Sequence, residues 1–93
     1  MAKLPDQEIA ERVKRLAGWA RAGDAIRKTF TFSKFADGIR FVDRVAAAAD
    51  AMDHHPDIDI RYTAITLTLS THSAGGLTVK DFDLAAKIEA AAR

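Results

Sequence analysis

The chain has 93 residues, of which 48% are hydrophobic, and its formal net charge at pH 7 is +1. This length fits one small domain, and the balanced charge argues against a protein whose main task is to bind nucleic acid. The sequence has no cysteine, which excludes disulfides, thiolate nucleophiles and Cys-ligated metal centres. It also has no apolar run long enough for a signal peptide or a membrane span, so we expect a soluble, cytoplasmic protein without membrane contact.

The first predicted elements are a helix over about residues 5–17 and a β-hairpin. Pro5, with acidic residues soon after it, is typical of a helix N-terminus, and apolar residues then recur at i, i+4 and i+7. The Gly-Asp pair at 23–24 predicts a turn between a short strand at 19–22 and a longer strand at 25–32. The longer strand alternates apolar and polar residues, and its core-facing side chains are expected to be Ile26, Phe30 and Phe32.

A long central helix is predicted over about residues 34–52, and Pro56 ends this region. Ser33 is the expected N-cap, and the alanine run at 46–49 is strongly helical. The expected buried stripe of this helix consists of Phe35, Ile39, Val42, Val45, Ala46, Ala49 and Met52.

The segment after this proline alternates apolar and polar residues, but the phase of the alternation slips once. A single strand cannot change parity without a turn or a bulge, so we predict two strands, at about 58–62 and 64–71. A loop follows. Thr78 and Asp81 then resemble a capping box that opens a last helix over about residues 79–92.

The element order α-β-β-α-β-β-α predicts a single α+β domain, residues 1–93, in which three helices pack on one face of a four-stranded antiparallel sheet. The last helix has an apolar stripe that is broader than one core face requires, which predicts a homo-oligomer. This stripe consists of Phe82, Leu84, Ala85, Ala86 and Ile88.

The three histidines of the chain are His54, His55 and His72, and their surroundings allow three interpretations. A metal site is disfavoured, because adjacent histidines in an extended or turn segment project in different directions and no His-x-x-His or Glu-x-x-His spacing occurs. A polar helix end, with Asp50 and Asp53 as solvated charges, is the simplest interpretation. An acid–base site is the third, because imidazole gains and loses a proton near neutral pH and a neighbouring carboxylate can fix its tautomer.

The residues of this region follow an extended pattern. It reads D-x-x-x-H-H-P-x-x-x-x-x-Y from Asp50 to Tyr62, then nine residues, His72, eight residues and Asp81. The segments GWAR, GDAIRKTFTF, LSTHSAGGLT and D-x-x-L-A-x-x-I flank or overlap it. Together these motifs resemble the signature of the pterin-4a-carbinolamine dehydratases over about residues 19–88. That family usually has glutamate where this chain has Asp50.

The resemblance implies a fold and an activity. Family members dehydrate 4a-hydroxytetrahydropterin, the 4a-carbinolamine, to quinonoid dihydropterin, which regenerates the cofactor of aromatic amino-acid hydroxylases. The family fold has three helices on one face of a four-stranded antiparallel sheet, in agreement with the predicted element order. The resemblance further implies a pterin substrate, no metal or organic cofactor, a homodimer or homotetramer, action beside a pterin-dependent hydroxylase and no direct contact with nucleic acid.

The resemblance also assigns roles to individual residues. The catalytic candidates are His54, His55 and His72; the first and last are expected to transfer protons, and His55 to position the pterin. The substrate-binding candidates are Asp50, Asp53, Ser70, Thr71 and Asp81. Helix capping is the competing interpretation of Asp81.

A non-catalytic binding protein is the alternative function. Some members of this family serve as a dimerisation cofactor for a homeodomain transcription factor, and other proteins of this fold act as assembly factors for large enzymes. Those roles use the helical surface, and loss of one or more histidines would be their expected sequence correlate. This chain keeps all three histidines, which favours the enzyme.

Overall fold

A computed structural model describes residues 2–93 and has the predicted architecture, three helices on one face of a four-stranded antiparallel sheet. The elements in chain order are α1 (Asp6–Lys14), β1 (Ala20–Ala22), β2 (Ala25–Thr31), α2 (Phe35–Met52), β3 (Asp57–Arg61), β4 (Ala64–Leu69) and α3 (Val79–Ala91). A short 3-10 turn, His72–Ala74, lies between β4 and α3. Among residues 2–93, no helix combines the length and the apolar character that crossing a membrane requires.

The sheet has the strand order β1-β2-β4-β3, so β1 and β3 are its edges. Each hairpin has a turn of two residues, because Ala22 pairs with Ala25 and Arg61 pairs with Ala64. In the second turn Tyr62 has a φ of 52°. This turn explains the slip in apolar parity and confirms the prediction of two separate strands.

Alternation along the central strands separates a covered face from an open face. In β4 the buried residues are Ile65, Leu67 and Leu69, and in β2 they are Ile26 and Phe30. The opposite face of β2 presents Arg27, Thr29 and Thr31, which are all exposed. The prediction that Ile26 and Phe30 face the core is therefore confirmed.

The predicted phase of the central helix was partly wrong. The buried residues of α2 are Gly38, Phe41, Val45 and Ala49, whereas Phe35 is 50% exposed. Ala46, also placed on the predicted stripe, is exposed as well. The helix is rotated because Gly38 lets its backbone approach Ile65, and because Phe41 packs against Phe30 and Phe32 with ring centroids 4.9 and 5.0 Å apart. A pattern of apolar residues does not place a glycine on the buried face, although a glycine can pack closely there.

Several predicted boundaries also shift. The first helix ends at Lys14 rather than at residue 17, and the N-cap of α2 is Lys34 rather than Ser33, without a side-chain hydrogen bond. The last strand ends at Leu69, since the chain then leaves the sheet to form the 3-10 turn.

The apolar stripe of α3 is almost entirely buried inside the monomer. Phe82, Leu84, Ala85 and Ile88 are buried, and only Ala86 of the predicted stripe is exposed. The expectation that this stripe exceeds the needs of one core was therefore wrong. The reason is that α3 packs against α2 and over the sheet at once.

Candidate active site

The end of α2 determines where the first two histidines lie. Asp53 adopts a left-handed conformation with a φ of 50°. Its backbone N–H donates to the carbonyl of Asp50 over 3.1 Å, and the N–H of His54 donates to that of Ala49 over 3.1 Å. This is the Schellman arrangement of a helix C-terminus, and it sends the chain back toward α3.

His54 binds the carboxylate of a residue 27 positions later in the chain. Its Nε2 lies 2.6 Å from Oδ1 of Asp81, whose side chain is fully buried, and 11% of the His54 side chain remains exposed. Because a carboxylate accepts hydrogen bonds, Nε2 is the donor in this contact, and Nδ1 takes no part in it.

Asp81 is held by two further donors. The hydroxyl of Thr71 donates to Oδ2 over 2.8 Å, and the backbone N–H of Thr78 donates to the same oxygen over 2.9 Å. The second bond belongs to a capping box that opens α3, which confirms the capping prediction for Thr78 and Asp81. Capping and contact with His54 are thus two uses of one carboxylate.

His55 points elsewhere and binds a different carboxylate. Its Nε2 donates to Oδ1 of Asp50 over 2.8 Å, and both side chains are largely exposed, 56% and 79%. The two adjacent histidines therefore project in different directions, as expected. An exposed pair of this kind contributes little to stability. Because the side chain of His55 is largely exposed, a ligand can reach it.

His72 lies at the same end of the sheet as His54. It opens the 3-10 turn after β4, is exposed, and directly follows Thr71. A cavity of about 360 Å³ opens beside it, lined in part by Asp24, Asp57 and Ser70. This volume is within the usual range for small-molecule sites.

Three other cavities in the described residues are larger, about 370, 550 and 570 Å³, but none of their lining residues is a histidine. Chemistry therefore favours the cavity beside His72. The two adjacent histidines do not line this cavity. His54 is connected through the Asp81 carboxylate to the hydroxyl of Thr71, the residue before His72.

Some residues of the sequence signature lie away from this cluster. Tyr62 is 75% exposed and follows the far end of β3, about 17 Å from its first residue. Asp53 serves the backbone turn, and its side chain is exposed. Within residues 2–93, no group of three histidine or acidic side chains could hold a metal ion.

Sequence reasoning missed three contributors. The side-chain oxygen of Thr78 lies 2.9 Å from that of Thr71, and Asp24 and Asp57 line the cavity. A signal for Asp57 was present: it is the first residue of β3 and alternates with Ile58, so its side chain lies on the open face. Asp24 lies beside Ser70 in the cavity wall, where its backbone carbonyl accepts a hydrogen bond from the Ser70 hydroxyl, 2.6 Å away.

Comparisons with known proteins give one family. The family model for pterin 4 alpha carbinolamine dehydratase matches residues 2–91. A protein of Roseiflexus castenholzii, to which the name pterin-4-alpha-carbinolamine dehydratase has been given by inference, is 59% identical over 88 residues, 95% of each chain. A protein of Sulfolobus acidocaldarius named in the same way is 45% identical over 86 residues, 92% of this chain and 94% of its own.

Two solved structures have the same fold. The transcriptional coactivator/pterin dehydratase of Brucella melitensis superposes with a TM-score of 0.94 and 33% identity, covering 98% of this chain and 99% of its own. A pterin dehydratase-like protein described as a RuBisCO assembly factor in the alpha-carboxysome gives 0.69 and 27%, covering 81% and 89%. With the family model matched over residues 2–91 and relatives up to 59% identical, the chain belongs to the pterin-4a-carbinolamine dehydratase family.

Proposed function

We propose that this protein dehydrates 4a-hydroxytetrahydropterin to quinonoid dihydropterin by histidine acid–base catalysis. One observation carries the proposal: His54 and Thr71 bind opposite oxygens of the Asp81 carboxylate, at 2.6 and 2.8 Å, and His72 is the residue after Thr71. His54 is thereby connected to the segment that carries His72, and His72 lines a cavity of suitable size. Membership of the family supplies the substrate class.

The reaction requires two proton transfers and no redox step. A proton is added to the hydroxyl on C4a, the C4a–O bond breaks and water leaves. The proton on N5 is removed, and its electron pair forms the C4a=N5 double bond. A general acid and a general base suffice, each contributing roughly 10²–10⁴-fold. His54 and His72 are the proposed pair, and His54 exchanges its proton at Nδ1.

Other residues of the site serve binding in this proposal. His55, oriented by Asp50, positions the pterin from the exposed side. Ser70 and the cavity carboxylates of Asp24 and Asp57 are matched to the N–H groups of the pterin pyrimidine ring, since carboxylates accept such bonds in pairs. Substrate contacts by Asp53, Thr71 and Asp81 stay predictions from the resemblance.

The wider functional setting is part of the same proposal. The reaction needs no metal or organic cofactor, takes place in the cytoplasm and recycles the pterin of an aromatic amino-acid hydroxylase. We expect a homodimer or homotetramer. Support for self-association comes from β3, an edge strand whose Ile58 and Ile60 are 37% and 41% exposed.

A binding role is the second candidate. The names of the two solved relatives include a transcriptional coactivator and an assembly factor. Such a role would use surface that catalysis does not need. All three histidines are present here, and one of them, His54, binds the buried carboxylate of Asp81, which favours catalysis.

The first test is the rate of 4a-carbinolamine breakdown, followed by ultraviolet absorbance, with the substrate generated in situ by a pterin-dependent hydroxylase. We expect the wild type to accelerate breakdown, and His54→Gln and His72→Gln each to lose at least about 100-fold of the acceleration. Glutamine suits this test at position 54, because its amide N–H can still donate to the buried Asp81 carboxylate although it cannot transfer the proton.

Two further variants make the result specific. His55→Gln should raise KM more than it lowers kcat, because binding and not proton transfer is lost. Asp37→Asn removes a carboxylate that binds Arg40 near the other end of α2, about 22 Å from Met52 along the helix, and should leave the rate unchanged. If the wild-type protein leaves the rate of breakdown unchanged, the proposed dehydratase activity is refuted and the binding role is favoured.

A further inference from the structure

A line of three hydroxyl and carboxyl groups runs from the start of α3 to His54. Thr71 and Thr78 are buried, 6% and 0% exposed, and their side-chain oxygens lie 2.9 Å apart. Thr71 is also 2.8 Å from Oδ2 of Asp81, and the N–H of Lys80 lies 3.3 Å from the side-chain oxygen of Thr78. No water is needed to connect these groups.

The direction of each hydrogen bond follows from counting protons. A threonine hydroxyl has one proton to donate. Thr71 gives its proton to the carboxylate, which cannot donate, so the bond between the two threonines is donated by Thr78. Thr78 in turn accepts from the N–H of Lys80. All bonds therefore point the same way, toward Asp81, and bonds in such a chain reinforce one another.

We propose that Thr71 is a positioning residue that, together with Thr78, orients the Asp81 carboxylate and through it keeps the proton of neutral His54 on Nε2. Three donors reach this carboxylate: the Thr71 hydroxyl, the Thr78 N–H and Nε2 of His54. With Oδ2 occupied by two of them, Oδ1 is the acceptor presented to the imidazole. The ring is then locked with Nδ1 free, the nitrogen at which the proposed reaction exchanges a proton.

The inference about catalysis rests on the proposed function, but the inference about the tautomer does not. Nitrogen-15 NMR of the histidine rings distinguishes the two neutral tautomers without any substrate. We expect the neutral ring of wild-type His54 to carry its proton on Nε2. Finding it on Nδ1 would overturn the proposal, whatever the variants do.

Thr71→Val keeps the shape of the side chain and removes only the hydroxyl. We expect this variant to populate the Nδ1–H tautomer of His54 and to lose about tenfold in kcat with KM changed less than about threefold, since one hydrogen bond to a charged group is lost. Thr71→Ser restores the hydroxyl and should restore both the tautomer and kcat. An unchanged tautomer in Thr71→Val, with kcat at the wild-type value or with a loss that serine does not rescue, would overturn the proposal.

Thr66→Val is the matched control. Thr66 lies on β4, as Thr71 follows β4, and its hydroxyl also pairs with a threonine, Thr29, at 2.7 Å, but on the open face of the sheet. It should change neither the His54 tautomer nor kcat. A wild type that fails to dehydrate the pterin, while Thr71→Val still shifts the tautomer, would refute the proposed function and leave the positioning role intact.

Discussion

Asp53 has a φ of 50°, a backbone conformation that glycine adopts freely and that costs other residues free energy. It ends α2 and directs His54 into the interior, where the ring meets Asp81. The signature aspartates near the histidines therefore have separate uses. Asp50 binds His55, Asp53 shapes the backbone, and Asp81 binds His54.

Asp53→Gly is expected to stabilise the protein by about 0.5–1 kcal/mol, because glycine relieves the left-handed strain at the helix C-terminus. Thermal or urea unfolding measures the change. Asp53→Ala is the matched variant, since it removes the carboxylate and keeps the strain; it should not stabilise. If Asp53→Gly lowers the free energy of unfolding, the side chain has a structural role beyond the turn.

At the scale of elements, the packing of α2 on the sheet depends on one small residue. An added Cβ at Gly38 would lie 3.4 Å from two side-chain atoms of Ile65 and 3.5 Å from Phe32, which is ordinary contact at its lower limit. The helix therefore has room for a methyl group at this position. This contact fixes the rotation of α2, which in turn places its C-terminal residues beside α3.

Gly38→Ala is expected to raise the free energy of unfolding by about 0.5–1 kcal/mol, because alanine is the better helix former and its methyl group fits. Gly38→Val should lower it by about 1–3 kcal/mol by displacing Ile65. Ala46→Gly, on the exposed side of the same helix, calibrates the propensity difference alone. A loss of stability in Gly38→Ala would mean that the methyl group does not fit against Ile65.

At the scale of the whole molecule, the sheet leaves an edge strand uncovered. Ile58 and Ile60 pair with the buried Leu67 and Ile65, so their side chains lie on the helix face of β3 although no helix covers them fully. Exposed apolar side chains beside unpaired backbone groups favour strand addition. A second copy of this chain is the occupant we propose for this edge.

Ile60→Lys is expected to shift the protein from oligomer to monomer at tens of micromolar, because a charge on this face opposes burial against a second copy. Size-exclusion chromatography with light scattering measures the mass. Asp59→Lys places the same side chain on the open face of the same strand and should perturb association less. A wild type that is monomeric under these conditions, or an Ile60→Lys variant that keeps the oligomeric mass, would contradict the proposed interface.

The sequence by itself determined the elements, their order and the family. Three features depend only on residues within about six positions of one another: the alternation of the strands, the two turns and the capping box at Thr78. The local sequence is therefore enough to predict them. The signature from Asp50 to Asp81 identified the family, because its spacing depends only on the chain. The same signature indicates His54 and His72 as candidates for proton transfer.

Only the tertiary structure decided how these residues are connected. The rotation of α2 depends on a close approach between Gly38 and Ile65, which a hydrophobicity pattern cannot contain. The bond between His54 and Asp81 joins residues 27 positions apart, and it is oriented by Thr71, which follows β4, and by Thr78, the N-cap of α3. Hydrogen bonds require distances near 3 Å and aligned donors, and these are set by the packing of helices on the sheet, not by neighbours in the chain.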